Sequence, residues 1–281
     1  MRWLAGLVLA ITGCSERIGD ALVICHNANC AEGATMGGDD TLAALRASLA
    51  LRTPGGRVVF DGMELDSVWD RARGRCSFSH APDPDARDLA EAVELVADHV
   101  AGSPAGAAAH NEDTFYLKIE LKTDVGGGAA HTATEVLAHV ACVTAAAQAV
   151  IAAGVASHNR VTPIFDSDDP ALLAAIDPQG FAASPGPGCL FETGWSAALP
   201  AGFAPQILTV GWYEDPQLLT WDRAAARMGL DDAGLPNGGG LAIWARSPTP
   251  QDLYGMLVQR PAYLVVNNVE DARGLLDHAA P

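Results

Sequence analysis

The 281-residue sequence is short of basic charge and of aromatic rings. Seventeen Lys and Arg stand against 34 Asp and Glu, a formal charge of −17. A surface that acidic repels phosphate backbones, which excludes a general nucleic-acid binder. An anionic substrate would then need a metal ion or a local positive group. With only 4 Tyr and 7 Phe, an aromatic-rich binding module is a poor fit. No Cys-x-x-Cys pair occurs, which removes zinc ribbons and thioredoxin-type motifs. No Gly-x-Ser-x-Gly elbow or His-Glu-x-x-His helix occurs, which removes serine hydrolases of that type and zincins. The run Gly126–Gly128 lacks a following Lys-Ser/Thr, so a phosphate-binding P-loop is not supported.

Apolar residues make up 49% and charged residues 18%, enough to bury a sizeable core in one large domain or two ordinary ones. At the amino terminus, Met1-Arg2 precedes an apolar stretch, Trp3–Ile11, far too short to span a bilayer. Ile11-Thr12-Gly13-Cys14 resembles the bacterial lipoprotein signal. On that reading residues 1–13 are a signal peptide, Cys14 is lipidated, residues 14–20 are a linker, and residues 21–281 form the folded domain. The protein would then be lipid-anchored in a bacterial cell envelope, on the periplasmic face, with Ser15 fitting outer-membrane sorting. The alternative is a buried first strand. The other five cysteines, Cys25, Cys30, Cys76, Cys142 and Cys189, are odd in number. They read either as buried free thiols, the preferred reading, or as including a Cys30–Cys76 disulfide.

Strand and helix patterns alternate from Ala21 onward. Strands are expected at Leu22–His26, Gly62–Val68, Phe115–Lys122, Arg160–Asp166, Cys189–Thr193, Gln206–Trp212, Leu241–Arg246 and Tyr263–Asn267. Helices are expected at Thr41–Leu51, Arg87–Val100, Thr132–Ala153, Pro170–Ile176, Pro216–Met228, Pro250–Val258 and Glu270–His278. Thr249 and Pro250 supply strong start signals for the sixth. Eight strands alternating with helices point to a compact parallel (β/α)8 TIM barrel without a large insertion. A doubly wound open sheet is second.

Two strands carry unusual charge. In Gly62-Met63-Glu64-Leu65-Asp66 the period of two puts Glu64 and Asp66 on one face. In Leu117-Lys118-Ile119-Glu120-Leu121-Lys122 it does the same for Lys118, Glu120 and Lys122. Such charges are costly in a barrel strand unless paired or bound to a cation. Glu64, Asp66 and Glu120 together form an oxygen-donor set for a hard divalent cation. His26 ends the first strand, and His80 follows the second after a short return. In a parallel barrel both reach the carboxyl-terminal mouth, beside the carboxylates. Two histidines, three carboxylates and a lysine suit metal-assisted phosphodiester cleavage. Glu192 ends the fifth strand, as a substrate-side residue or a solvated strand end. Core packing or surface placement is expected for His99, His110, His131, His139, His158 and His278.

The succession of His26, Asp39-Asp40-Thr41, Gly62-Met63-Glu64-Leu65-Asp66, His80, Ile119-Glu120-Leu121-Lys122, Ala242-Ile243-Trp244 and Tyr263–Asn268 resembles the glycerophosphodiester phosphodiesterase family. The resemblance implies a (β/α)8 barrel, a divalent cation (Mg²⁺ or Ca²⁺), and hydrolysis of phosphodiesters on glycerol or lipid headgroups. It makes His26 and His80 the acid/base or nucleophilic pair, and Glu64, Asp66 and Glu120 the metal ligands. Lys122 would bind phosphate, and Trp244 would line the substrate pocket. The family's His-Arg-Gly is here His26-Asn27-Ala28, so Asn27 replaces a phosphate-binding arginine as a neutral donor. Asp39 either reaches the metal or caps the first helix. Some features lean instead toward the sphingomyelinase D-like phospholipases, with a lysophospholipid as substrate. A non-catalytic lipoprotein binding module is the third reading.

Overall fold

The computed structural model describes residues 21–31, 38–111, 114–125, 130–181, 188–194, 199–201, 203, 205–213 and 240–279. The expected signal peptide, Cys14, the linker and the helix at Pro216–Met228 lie outside these residues. Ten strands form one sheet: β1 (Leu22–Cys25), β2 (Gly62–Asp70), β3 (Arg75–Phe78), β4 (Arg87–Asp88), β5 (Phe115–Leu121), β6 (Val161–Asp166), β7 (Leu190–Gly194), β8 (Ile207–Gly211), β9 (Gly240–Ala245) and β10 (Tyr263–Val266). Eight of them pair in parallel in the order β1-β10-β9-β8-β7-β6-β5-β2, and β1 pairs β2 to close the ring. This is the expected (β/α)8 barrel. Beyond it, β2 runs on past the barrel rim to pair with β3, and β3 with β4, both antiparallel.

Outside the ring lie α1 (Leu42–Leu49), α2 (Leu89–Gly102), α3 (Ala133–Ser157), α4 (Pro170–Ala174), α5 (Pro250–Val258) and α6 (Val269–Ala279). Their starts are chemically specified. Thr249 accepts the Asp252 N–H with Pro250 in the first turn of α5, and Thr132 with Glu135 closes a reciprocal cap on α3. α3 is long and apolar enough to cross a membrane by length and composition alone. Its Val140, Val143, Ala147 and Val150 nevertheless face the barrel core. Within the ring, Ile24, Ile164, Leu190, Ile207, Tyr263 and Val265 form a separate apolar plug. Gly62 on β2 abuts the Tyr116 carbonyl of β5, and a Cβ there would collide with that backbone. Only glycine fits so close an approach.

The cysteines overturn both sequence readings. Cys25 is bonded to Cys30 and Cys76 to Cys142, leaving Cys189 free and buried. Cys76 and Cys142 lie 66 positions apart, so their pairing depends on where α3 packs, which cysteine spacing does not encode.

His139 is fully buried on α3, with its Nε2 2.9 Å from Ser67 Oγ. Burial, reinforced by His131, pulls its pKa down to about 3. An unfolded histidine titrates near about 6.5, so between those values only the unfolded chain takes up this proton. This contribution to stability is complete above about pH 6.5 and is lost as pH falls, by roughly 1.4 kcal/mol per unit. Urea unfolding at about pH 7 and about pH 5 should show the parent losing more stability on acidification than His139→Gln. Equal losses would assign the dependence to other groups.

Candidate functional site

The period of two along each strand sends alternate side chains into the ring, and the register sets their height. Glu64 lies opposite Lys118, and Asp66 opposite Glu120, across β2 and β5. Glu120 in turn lies opposite Asp166, and Asp166 opposite Glu192, across β6 and β7. A charged layer thus sits above the apolar plug. It opens at the carboxyl-terminal mouth into a cavity of about 590 Å³ lined in part by His26, Asn27, Glu64, His80, Glu120, Lys122 and Trp244. That volume suits a small organic ligand. The structure therefore gathers seven of the sequence-selected residues around one cavity. Asp66 is fully buried beside it and bonded to His80.

His26 begins a short 3₁₀ turn, His26–Ala28, inside the ring closed by the Cys25–Cys30 disulfide. Asn27 and Ala28 both take left-handed backbone angles, φ 47° and 56°. The Asn27 N–H donates to Glu64 Oε2 at 3.1 Å, so a carboxylate of β2 holds the turn in place. His26 Nδ1 lies 3.0 Å from Asn267 Oδ1. The Asn267 amide nitrogen donates to Asn29 O at 2.6 Å, which fixes the amide's orientation. Its oxygen must then accept, so His26 carries its proton on Nδ1 and leaves Nε2 for the cavity. Trp244 stacks on the His26 ring, centroids 5.8 Å apart and planes within 7°.

His80 stands on the antiparallel extension. Its Nδ1 lies 2.6 Å from Asp66 Oδ2, and that hydrogen bond raises its pKa. Lys122 bonds Glu120 at 2.6 Å and Asp66 at 3.3 Å. Burial, with the Asp66 charge added to it, pushes Glu120 up to about 7. Burial works the other way on Lys122, yet Asp66 and Glu120 outweigh it and its pKa rises.

Several residues were missed or misread from the sequence. Lys118 is 2% exposed, and its Nζ lies 2.9 Å from each of Glu64, Asp166 and Glu192. Burial opposes its charge, but Asp166 and Glu192 hold its pKa well above the ordinary lysine value. The period of two had placed Lys118 on the charged face, but not which carboxylates it meets. Glu192 is no solvated strand end: it is fully buried, bonded to Lys118 and to the Tyr263 hydroxyl. Asp39 does not cap α1, because Thr41 accepts the Ala44 N–H there. Asp39 instead pairs with Arg246 at 2.7 Å and accepts from Asn29. Its neighbour Asp40 is the residue that comes within ligand distance of Asp66 and His80. A second group, Glu64, Glu120 and Asp166, is equally compact.

No family model and no curated protein matches the chain. Solved structures do. A glycerophosphodiester phosphodiesterase from Parabacteroides distasonis is similar at TM-score 0.57 and 13% identity, covering 94% of this chain and 99% of that one. One from Agrobacterium tumefaciens is similar at TM-score 0.50 and 11% identity, covering 90% and 99%. The chain has their barrel. At such identities the likeness speaks for the fold, and the chemistry rests on the residues at the mouth.

Proposed function

We propose that the chain is a metal-dependent phosphoric diester hydrolase acting on glycerophosphodiesters. The observation that carries this reading is the pair of imidazoles, each tied at Nδ1 and each lining one cavity floored by carboxylates. The residues fit a hard divalent cation such as Mg²⁺ or Ca²⁺. The oxygen donors for it lie among Asp40, Asp66, Glu64, Glu120 and Asp166, which form two compact acidic groups at the mouth. The two oxygens of Asp40 and Oδ1 of Asp66 are buried without a hydrogen-bond partner among the described residues. Held by these residues, a divalent cation would neutralise charge on the non-bridging oxygens of the diester.

The remaining work falls to the chain's own groups. His26, held by Asn267, directs its Nε2 lone pair at phosphorus or at an attacking water. His80, its Nδ1–H held by Asp66, delivers a proton from Nε2 to the leaving alcohol oxygen. Lys122 neutralises the carboxylates behind the phosphate and donates to it. Asn27 lines the same cavity, and neither polar atom of its buried amide is partnered among the described residues.

The test is turnover by the Cys14→Ser chain, which removes the expected lipidation site, of glycerophosphocholine and, separately, lysophosphatidylcholine, each with Mg²⁺, Ca²⁺ or EDTA. Cation-dependent release from the small diester, abolished by EDTA, is expected. Release from the lysolipid alone would transfer the site to a phospholipase D-like reaction. Absence of turnover on both would leave a binding module.

A further inference from the structure

The two carboxylate groups at the barrel mouth differ in what already neutralises them. In the lower one, the Lys118 ammonium sits 2.9 Å from Glu64 Oε1 and from Asp166 Oδ2, and the same nitrogen reaches Glu192. The second oxygen of Glu64, Oε2, accepts the Asn27 N–H. Both oxygens of Glu64 are therefore committed to the protein. In the upper group, Asp40 is 9% exposed, and neither carboxylate oxygen has a hydrogen-bond partner among the described residues. Asp66 Oδ1 has none either. Lys122 bonds Asp66 Oδ2 and Glu120 Oε1, and no ion pair joins it to Asp40 among the described residues. Asp40 is held in the left-handed region, φ 55°, where its N–H donates to Asn27 O at 3.1 Å. A non-glycine residue is kept in that conformation at a cost, and the result is a bare buried carboxylate set against a second one.

We propose that the divalent cation binds between Asp40 and Asp66, and that Lys118 is the resident counter-ion that removes Glu64 from the ligand set. The proposal rests on the metal-dependent reading above and changes which residues serve it. Asp40 and Asp66 would hold it through the three oxygens that lack a hydrogen-bond partner among the described residues, and its other positions would go to water or phosphate oxygens. So few protein ligands suit Mg²⁺ or Mn²⁺ better than Ca²⁺. Glu64 then acts as a positioning residue, holding the turn that carries His26 and Asn27. His80 keeps its Nδ1–H on Asp66 Oδ2, which leaves its Nε2 unligated.

Mn²⁺ titrated into the metal-stripped full chain, followed by electron paramagnetic resonance and calorimetry, tests this without recourse to activity. Asp40→Asn replaces a buried carboxyl that has no hydrogen-bond partner among the described residues, keeps the side-chain volume and is expected to fold. It should weaken Mn²⁺ at least tenfold, whereas Glu64→Gln should bind within threefold of the parent. Unchanged binding by Asp40→Asn overturns the proposal whatever Glu64→Gln does. A tenfold loss in Glu64→Gln overturns it too, with the metal-dependent reading intact. A parent chain that takes up no Mn²⁺ overturns both.

Discussion

Alanine at His26 is expected to lower kcat for diester hydrolysis by about 10³-fold or more, with KM changed far less. The imidazole is oriented by Asn267 and stacked on Trp244, so its Nε2 is delivered rather than searched for. His80→Ala should lose a similar factor on a substrate with a poor leaving alcohol. The two variants separate on a p-nitrophenyl ester, whose leaving group needs no proton. His80→Ala should recover most of its rate there and His26→Ala should not. His80 is exposed, so its alanine variant should keep a thermal midpoint near the parent's, whereas His26 is buried against Asn267 and Trp244 and its alanine should fold with a somewhat lower midpoint. If His26→Ala kept parental kcat on either substrate, the assignment of His26 would fail.

Lys118→Met should cost about 3–5 kcal/mol of stability near neutral pH, because it leaves buried carboxylates without their cation. Lys118 binds Glu64, Asp166 and Glu192 at once. Burial and the Glu192 charge already raise Asp166, and burial raises Glu192. Without the ammonium these folded-state values rise further above the unfolded ones. The added penalty is then present at neutral pH and shrinks as the carboxyls protonate on acidification. Urea unfolding of parent and variant at about pH 7.5 and about pH 5 measures both parts. A variant within about 1 kcal/mol of the parent near neutral pH would show that the ammonium is dispensable.

Much of this protein is written locally. The eight barrel strands fall within about two residues of where alternation and turn signals place them at either end. α5 occupies Pro250–Val258 as its cap and proline dictate. The same alternation assigned Glu64, Asp66, Lys118 and Glu120 to one face of their strands, and chain order put His26 at the end of the first strand and His80 a short return after the second. Those are properties of neighbouring residues, and backbone geometry converts them directly into direction.

Height within the barrel and partnership across it are not local. Lys118 finds Glu192 across 74 positions, and His26 finds Asn267 across 241. Both follow from ring closure and strand register rather than from any short motif. The same holds for the Cys76–Cys142 bond and for the division of labour between Asp39 and Asp40. Adjacent aspartates look alike in sequence. A left-handed backbone at Asp40, held by the Asn27 carbonyl, sends it to Asp66, while Asp39 meets Arg246. The sequence by itself determined which residues share a face of each strand, since a strand's period needs no partner. Only the tertiary structure decided which charges neutralise one another and which carboxylates are left without a partner among the described residues, because those energies depend on distances that closure of the ring creates.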